Sequence, residues 1–368
     1  FIMKKKLIIF MPSIEGGGVE KNLFIVSNYL SKKISEVSLI SASKKYKKKF
    51  SKSVVFISPM SSKWDSKSRR TKYLICLLLL FREIIKNRNV LVFAFQANIY
   101  CILICKLLGI KIITRSNSAP AGWSKNFFKS LVFKFFLKKA DKVMVNSIEF
   151  KKSLKKKFNV NAKCIYNPLD KTEILKKSKS KSKKFFKSNK KIKILNIGRY
   201  VDQKDQETLI KALNEIKNKF NFEAIIVCKG ILKKKILILI DKFKMNKMIK
   251  LKNFMENPYP ILKQSELFIL TSKFEGLPNV LLESIVLKKN IISSDCETGP
   301  NEILDYGKGG TLFKTNDYKD LAKKIFHYSK NKKKYDKKKK IAYKRLNRFG
   351  YDYNLNEYFK MISKELNF

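Results

Sequence analysis

Short apolar runs rich in branched side chains, each followed by a longer stretch of helical periodicity, recur along most of this chain. In the first part the runs fall at 5 to 11, 36 to 41, 53 to 58, 90 to 95, 110 to 114 and 142 to 146, with helical segments after most of them. This alternation predicts a parallel α/β sheet, because parallel strands need crossovers and a helix makes a compact one. From 171 to 191, "KTEILKKSKSKSKKFFKSNKK", the periodicity fades into lysine and serine, which predicts an exposed linker. The rhythm restarts at "IKILNIGRY" (192 to 200) and continues through "FEAIIVC", "IKLKNF", "LFILTS" and "NIISSD" (290 to 295), predicting a second sheet. A basic helical stretch, "NKKKYDKKKKIAYKRL", then leads into a more apolar tail suited to packing back on the first domain. The expected plan is α/β: an N-terminal Rossmann-like domain over 1–170, a linker over 171–191, a second Rossmann-like domain over 192–345 and a C-terminal helix over 346–368. Two such domains would face a cleft, with ligands at the carboxyl ends of the strands.

Composition supports that plan and narrows the chemistry. At 368 residues and 45% hydrophobic, the chain fills two cores. Its formal charge of +53 comes from 82 basic residues spread in doublets and triplets rather than gathered in one arm. That pattern fits either lysine as a default surface residue or an anionic partner such as a lipid surface, a nucleotide diphosphate or nucleic acid. The six cysteines, at 76, 101, 105, 164, 228 and 296, sit mainly in apolar runs without C-x-x-C or zinc-ligand spacing, and read as buried thiols of a reducing compartment. The apolar run near the start breaks at Pro12 and reads as a first strand rather than a signal peptide. Residues 73–81 and 99–113 are too short or carry a lysine, so no transmembrane helix is expected. A single histidine, His327, rules out a His-based triad or a His metal cluster, and reads as a surface or packing residue.

The chemistry gathers after the strands. "KFEGLPNVLLESI" follows the strand "LFILTS" and places Glu275 and Gly276 in a loop, with Pro278 opening a helix that runs to about Leu287. Backbone N–H groups of Gly276, Leu277, Asn279 and Val280 beside a helix N-terminus suit phosphate or sugar oxygens. Glu283 follows on that helix, so the two carboxylates can reach different points of one elongated ligand, one a ribose diol and the other a sugar. A structural alternative has Glu275 capping the helix and Glu283 solvated. After "IKILNIG" comes "RYVDQK", with Arg199 and Lys204 placed as a fork and a mobile point charge for a diphosphate. In the first domain, "MPSIEGGGVEKNLF" puts Gly16, Gly17 and Gly18 between strand and helix, where backbone can approach a ligand closely.

"EGGGVE", "GRYVDQK", "FEGLPNVLLE" and "SSDCETGPNEIL", in that order, resemble the retaining GT-B glycosyltransferases of family 4 across nearly the whole chain. The resemblance implies that Arg199 and Lys204 bind the donor diphosphate, Glu283 the nucleotide ribose and Glu275 the donor sugar, with the Gly16 to Gly18 loop closing over the phosphates. It also implies a nucleotide diphosphate sugar as donor, a UDP-sugar ahead of a GDP-sugar, with no cofactor and no metal. No D-x-D occurs, so fixed cations and helix dipoles are expected to stabilise the leaving diphosphate. "CETGPNEIL", ending in Glu302, is similar to members that build capsule, O-antigen or lipid-linked oligosaccharide, often from N-acetylhexosamine donors. One departure stands out. Many relatives carry a histidine near the donor sugar after the strand that here reads "IKIITRSNSAPAGW", and this chain offers Arg115, Ser116 and Asn117 instead. Arg115 and Asn117 are therefore candidate site residues, and the Ser-Asn-Ser-Ala-Pro loop reads equally as a plain turn.

"KNFFKSLVFKFFLKKA" (125–140) presents Phe127, Phe128, Leu131, Val132, Phe135 and Phe136 at helical spacing. It reads either as a helix packed on the sheet or as an interfacial helix that dips aromatics into an anionic leaflet, with Lys129, Lys134, Lys138 and Lys139 around it. The second reading implies a cytoplasmic protein peripheral on the inner membrane, receiving a lipid-linked or other glycan acceptor. Two other functions compete. One keeps the fold and replaces transfer by epimerisation or phosphorolysis, although nothing marks a pyridoxal-phosphate lysine. The other is nucleic-acid binding, suggested by charge alone, and no nucleic-acid partner is expected because the aromatics follow core periodicity.

Overall fold

The computed structural model describes residues 6–117, 126–180 and 184–366. The chain divides into two compact units, one of residues up to Pro168 together with Tyr351 onward, the other Leu169–Gly350.

The first unit is a seven-stranded sheet of β1 (Lys6–Phe10), β2 (Val37–Ile40), β3 (Val54–Ile57), β4 (Val90–Ala94), β5 (Lys111–Ser116), β6 (Lys142–Val145) and β7 (Ala162–Cys164). The order is β3-β2-β1-β4-β5-β6-β7, and every pairing is parallel. Helices α1 (Gly18–Leu30), α2 (Arg69–Lys86), α3 (Asn98–Leu107), α4 (Phe127–Lys139) and α5 (Ile148–Phe158) make the crossovers. Strands covered on both faces must be apolar at every position, which is why "KLIIF" and "VLVFA" read as runs rather than alternations. Ile8, Phe10, Val92, Ile112 and Val143 face one cluster with Cys76, Leu80, Cys101 and Leu154 from α2, α3 and α5. Leu7, Ile9, Leu91, Phe93 and Met144 face the other, with Leu23 and Val26 of α1.

The second unit has six parallel strands, β8 (Ile192–Ile197), β9 (Phe222–Val227), β10 (Ile249–Lys252), β11 (Leu267–Leu270), β12 (Asn290–Ser294) and β13 (Thr311–Phe313), ordered β10-β9-β8-β11-β12-β13. Its helices are α6 (Lys171–Ser178), α7 (Gln206–Ile216), α8 (Lys233–Lys242), α9 (Tyr259–Gln264), α10 (Asn279–Val286), α11 (Pro300–Ile303), α12 (Tyr318–Lys330) and α13 (Lys332–Lys344). A last helix, α14 (Tyr351–Leu366), returns to the first unit, where Leu355, Tyr358 and Ile362 join the core beside α1.

Two expectations are corrected. Within the expected linker 171–191, of which 181–183 lie outside the described residues, the described residues are not a free linker. Asp170 caps α6 by accepting from the Glu173 N–H at 2.7 Å, Ile174 is buried, and Phe186 is buried further on. The lysines sit on the outer side of this short element, which hid its inner face in the sequence. The chain changes unit where Leu169 and Gly350 lie side by side as a parallel bridge, rather than at the expected 171 and 346. Strands β7 and β13 were not foreseen, since three residues are too few to show a period.

Candidate functional site

In the second unit β8 is flanked by β9 on one side and β11 on the other, with Ile194 opposite Leu267. Consecutive crossovers leave this point in opposite directions, and ligands of open α/β sheets bind beyond the strand ends at such a point. The sequence places its charged residues in the loops after β8 and β11.

After β8, Arg199 is exposed and Tyr200 is fully buried, so the loop is pinned beside its arginine. A short 3-10 turn, Asp202–Lys204, follows. Hydrogen bonds lace it to the other loop. The Thr271 hydroxyl donates to the Lys204 carbonyl at 2.8 Å, the Lys273 N–H to the Gln203 carbonyl at 2.8 Å, and the Gln203 side-chain amide to the Phe274 carbonyl at 2.9 Å. A side chain at Gly198 would lie 3.3 Å from Lys204 Cγ. Glycine there lets the lysine cross the strand end, and its ammonium donates to the Glu275 carboxylate.

Glu275 is only 7% exposed, and its carbonyl accepts from the Thr298 hydroxyl at 2.5 Å. Next to it, a Cβ on Gly299 would stand 2.1 Å from the Gly276 oxygen, so Gly276 rests directly on bare backbone. Gly299 also has φ 88°, a left-handed conformation that glycine adopts without strain. Pro278 is the N-cap of α10, and Asn279 and Val280 form its first turn, with Leu277 buried behind. One turn later Glu283, also 7% exposed, accepts from the Tyr259 hydroxyl at 3.1 Å. Burial, and then the Glu275 charge, push the Cys296 thiol up, so it is a neutral neighbour.

Lys204, Glu275, Gly276 and the start of α10 thus stand together, with Arg199 on the same loop as Lys204. Two acceptor carboxylates, a cation and the positive end of a helix suit an elongated ligand with an anionic middle and hydroxylated ends. Tyr259, Gln203, Thr298 and Gly299 hold this arrangement and were not singled out from sequence. Thr298 and Gly299 lie in "CETGPNEIL", so a signal existed. Tyr259 carried none.

The first-unit candidates are placed differently. Gly16 has φ 85°, and Gly17 caps α1. The Gly17 N–H donates to Glu20 Oε2 at 2.9 Å and the Glu15 N–H to Glu20 Oε1 at 3.3 Å. A carboxylate of the chain itself therefore takes two amides of the loop expected to close over phosphates, and Gly18 opens the helix beside it. Arg115 is 1% exposed. Its guanidinium donates to the Tyr358 hydroxyl at 2.9 Å and to Asn167 Oδ1 at 2.6 Å, and stacks 5.1 Å from the Phe95 ring centre. Two of its guanidinium nitrogens thus fasten α14 and Asn167 to the sheet, while the third, Nη1, is buried with no hydrogen-bond partner among the described residues. Asn117 donates to the Phe95 carbonyl at 3.0 Å and is half-buried. The rest of its loop, from 118 to 125, lies outside the described residues. His327 packs on α12 with its ring nitrogen 3.2 Å from the Tyr335 hydroxyl.

Comparison with known proteins gives this geometry a setting. Residues 177–345 match the model of the family described as "Glycosyl transferases group 1". An uncharacterized glycosyltransferase of Methanocaldococcus jannaschii is 35% identical over 182 residues, which is 47% of this chain and 44% of that protein. The chain thus spans less than half the length of that relative. The N-acetylgalactosamine-N,N'-diacetylbacillosaminyl-diphospho-undecaprenol 4-alpha-N-acetylgalactosaminyltransferase of Campylobacter jejuni is 27% identical, with 92% of this chain and 95% of that one covered. Among solved structures, Anabaena HepE in complex with UDP superposes with a TM-score of 0.76 at 14% identity, covering 98% of this chain and 100% of that one. The sucrose-phosphate synthase of Thermosynechococcus elongatus reaches 0.81 at 13% identity, covering 98% and 99%. The chain has the GT-B fold, and its residues 177–345 are similar to the glycosyl transferases group 1 family.

Proposed function

We propose that this chain is a retaining glycosyltransferase of family 4 type that moves a sugar from a nucleoside diphosphate sugar to a glycan acceptor. The observation that carries the reading is the convergence of Lys204 and Glu275 with the start of α10 at the β8–β11 switch point. In this reading Lys204 and Arg199 take the diphosphate, Gly276, Leu277, Asn279 and Val280 line its path with backbone, Glu283 holds the ribose and Glu275 the donor sugar. The acceptor oxygen bonds to the anomeric carbon on the face from which the diphosphate leaves. Its proton passes to a leaving phosphate oxygen, so no protein base is required. Charge grows on the diphosphate as the bond breaks, and two fixed cations stabilise that state more than the ground state. The reading gives this work to the cations rather than to a protein-held metal.

A UDP-sugar is the donor we favour, supported by the UDP in the Anabaena structure. An N-acetylhexosamine as the sugar is supported by the Campylobacter relative and by a Staphylococcus aureus relative named poly(ribitol-phosphate) alpha-N-acetylglucosaminyltransferase, and a lipid-linked glycan as the acceptor by the Campylobacter relative. Both relatives are named for alpha products, and an alpha product from an alpha-linked nucleotide sugar is retention. The test is to incubate the folded protein with UDP- and GDP-sugars and candidate acceptors, with and without EDTA, and to follow nucleoside diphosphate release and product anomer by NMR. Acceptor-dependent release in EDTA with an alpha product supports the reading. An inverted product, or no turnover or binding of any nucleotide sugar, overturns it.

A further inference from the structure

We infer that the outer face of α2, α3 and α4 in the first unit is a docking surface for an anionic lipid bilayer. Three neighbouring helices cover one side of the sheet, and each presents an apolar stripe away from it. On α2 the outward residues are Leu74, Leu78, Phe81 and Ile85, at i, i+4, i+7 and i+11, while Cys76, Leu80 and Ile84 fill the core beneath. On α3 they are Tyr100, Leu103 and Leu107, the last 76% exposed. On α4 they are Phe127, Phe128, Leu131, Val132 and Phe135, and Leu137 alone is buried. A crossover helix at a water-facing surface keeps its outer stripe polar, and a helix apolar on both sides needs a second apolar neighbour. Here three adjacent helices break that rule on the same face, which far exceeds the scattered exposed apolar residues normal for a soluble surface.

Charge identifies the occupant. The charged positions of α4 are all basic, Lys129, Lys134, Lys138 and Lys139, whereas on α2 Arg82 and Lys86 both pair with Glu83 and on α3 Lys106 pairs with Asp141. The next helix of the layer, α5, adds Lys151, Lys152, Lys155, Lys156 and Lys157. Aromatic and aliphatic side chains ringed by lysines match the boundary between acyl chains and anionic headgroups, where each nearby cation adds attraction. A second copy of the chain fits poorly, since it would press one lysine-rich face against another in a molecule of formal charge +53. Among the described residues no helix is long and apolar enough to cross a membrane, so this mode is surface docking. The inference rests on the first unit alone and stands or falls independently of the transferase reading.

The test must separate this face from general charge adsorption. The full chain and a variant carrying Leu74→Ser, Leu107→Ser and Phe135→Ser, which keeps the net charge, are sedimented with phosphatidylcholine vesicles with and without phosphatidylglycerol, at low and high salt. The three positions are exposed, so circular dichroism and melting should show the variant folded. The expected result is binding to the anionic vesicles that outlasts high salt in the parent chain, with partitioning down by roughly a hundredfold in the variant. Equal binding of both proteins, or loss of all parent binding at moderate salt, would reduce the effect to charge and overturn the inference. A parent dimer that the variant abolishes, seen by light scattering without lipid, would give the face to a second copy and overturn it too.

Discussion

The Lys204 ammonium and the Glu275 carboxylate, 71 positions apart in sequence, meet across the ends of adjacent strands. Neither is far into solvent, with side chains 16% and 9% exposed. Removing the lysine alone leaves a nearly buried carboxylate without its cation, which costs on the order of 3 kcal/mol. Lys204→Ala should therefore lower the unfolding free energy more than the double variant Lys204→Ala/Glu275→Gln does. Urea denaturation of the four proteins of the cycle measures this, and an additive cycle would mean the pair is not coupled.

The same cation should matter more as the donor breaks than while it is bound. Arg199→Ala with Lys204→Ala is expected to reduce kcat by a factor at least about tenfold larger than the loss in nucleotide affinity. Steady-state kinetics beside direct titration separates the two. Equal losses would leave these residues a binding role only.

Gly299 supports the site through backbone contact. Gly299→Ala places a Cβ against the Gly276 oxygen and imposes φ 88° on an alanine. The expected cost is on the order of 3 kcal/mol, with weakened nucleotide binding because the Gly276 peptide must shift. Gly109→Ala is the control. It is also at positive φ but meets nothing within 4 Å, and should cost less and leave binding alone.

The two-sheet plan was legible because parallel strands covered on both faces write themselves as apolar runs, and eleven of those runs were read directly. The loops carrying Lys204 and Glu275 were legible for a related reason, since loops at strand ends carry charge that the core excludes. Arg115 shows the limit. An arginine at a strand end looks the same in sequence whether or not it also meets a tyrosine of the last helix, and only the return of α14 reveals that partner. Tyr259 was invisible because its partner Glu283 is 24 positions away with no pattern connecting them. The short helix α6 was hidden by its own lysines.

Lys289, in the turn after α10, gives a pH signature. Burial, then the charge of Lys339, lowers its pKa to about 8, although its ammonium donates to the Lys263 and Ser265 carbonyls at 2.7 and 2.9 Å. Below about 8 the group is charged in folded and unfolded chains alike, and the full desolvation penalty applies. As pH rises from about 8 towards the unfolded value of 10.5, the folded chain sheds its proton first, so stability rises. The stability of the parent relative to Lys289→Met should therefore increase over that window by up to about 3 kcal/mol. A flat difference between neutral and alkaline pH would show that the lysine is not desolvated.

The central claim is a nucleotide-sugar donor site on the second unit, and Glu283 is its most exacting residue. Isothermal titration of the parent and Glu283→Ala with UDP, GDP and ADP, with melting curves to show both folded, tests it directly. The account predicts that one nucleoside diphosphate, UDP first, binds the parent, and that affinity falls at least about tenfold in the variant, as expected for a lost charged hydrogen bond to the ribose. Unchanged affinity would remove Glu283 from the site, and no binding of any nucleotide to folded parent would contradict the account.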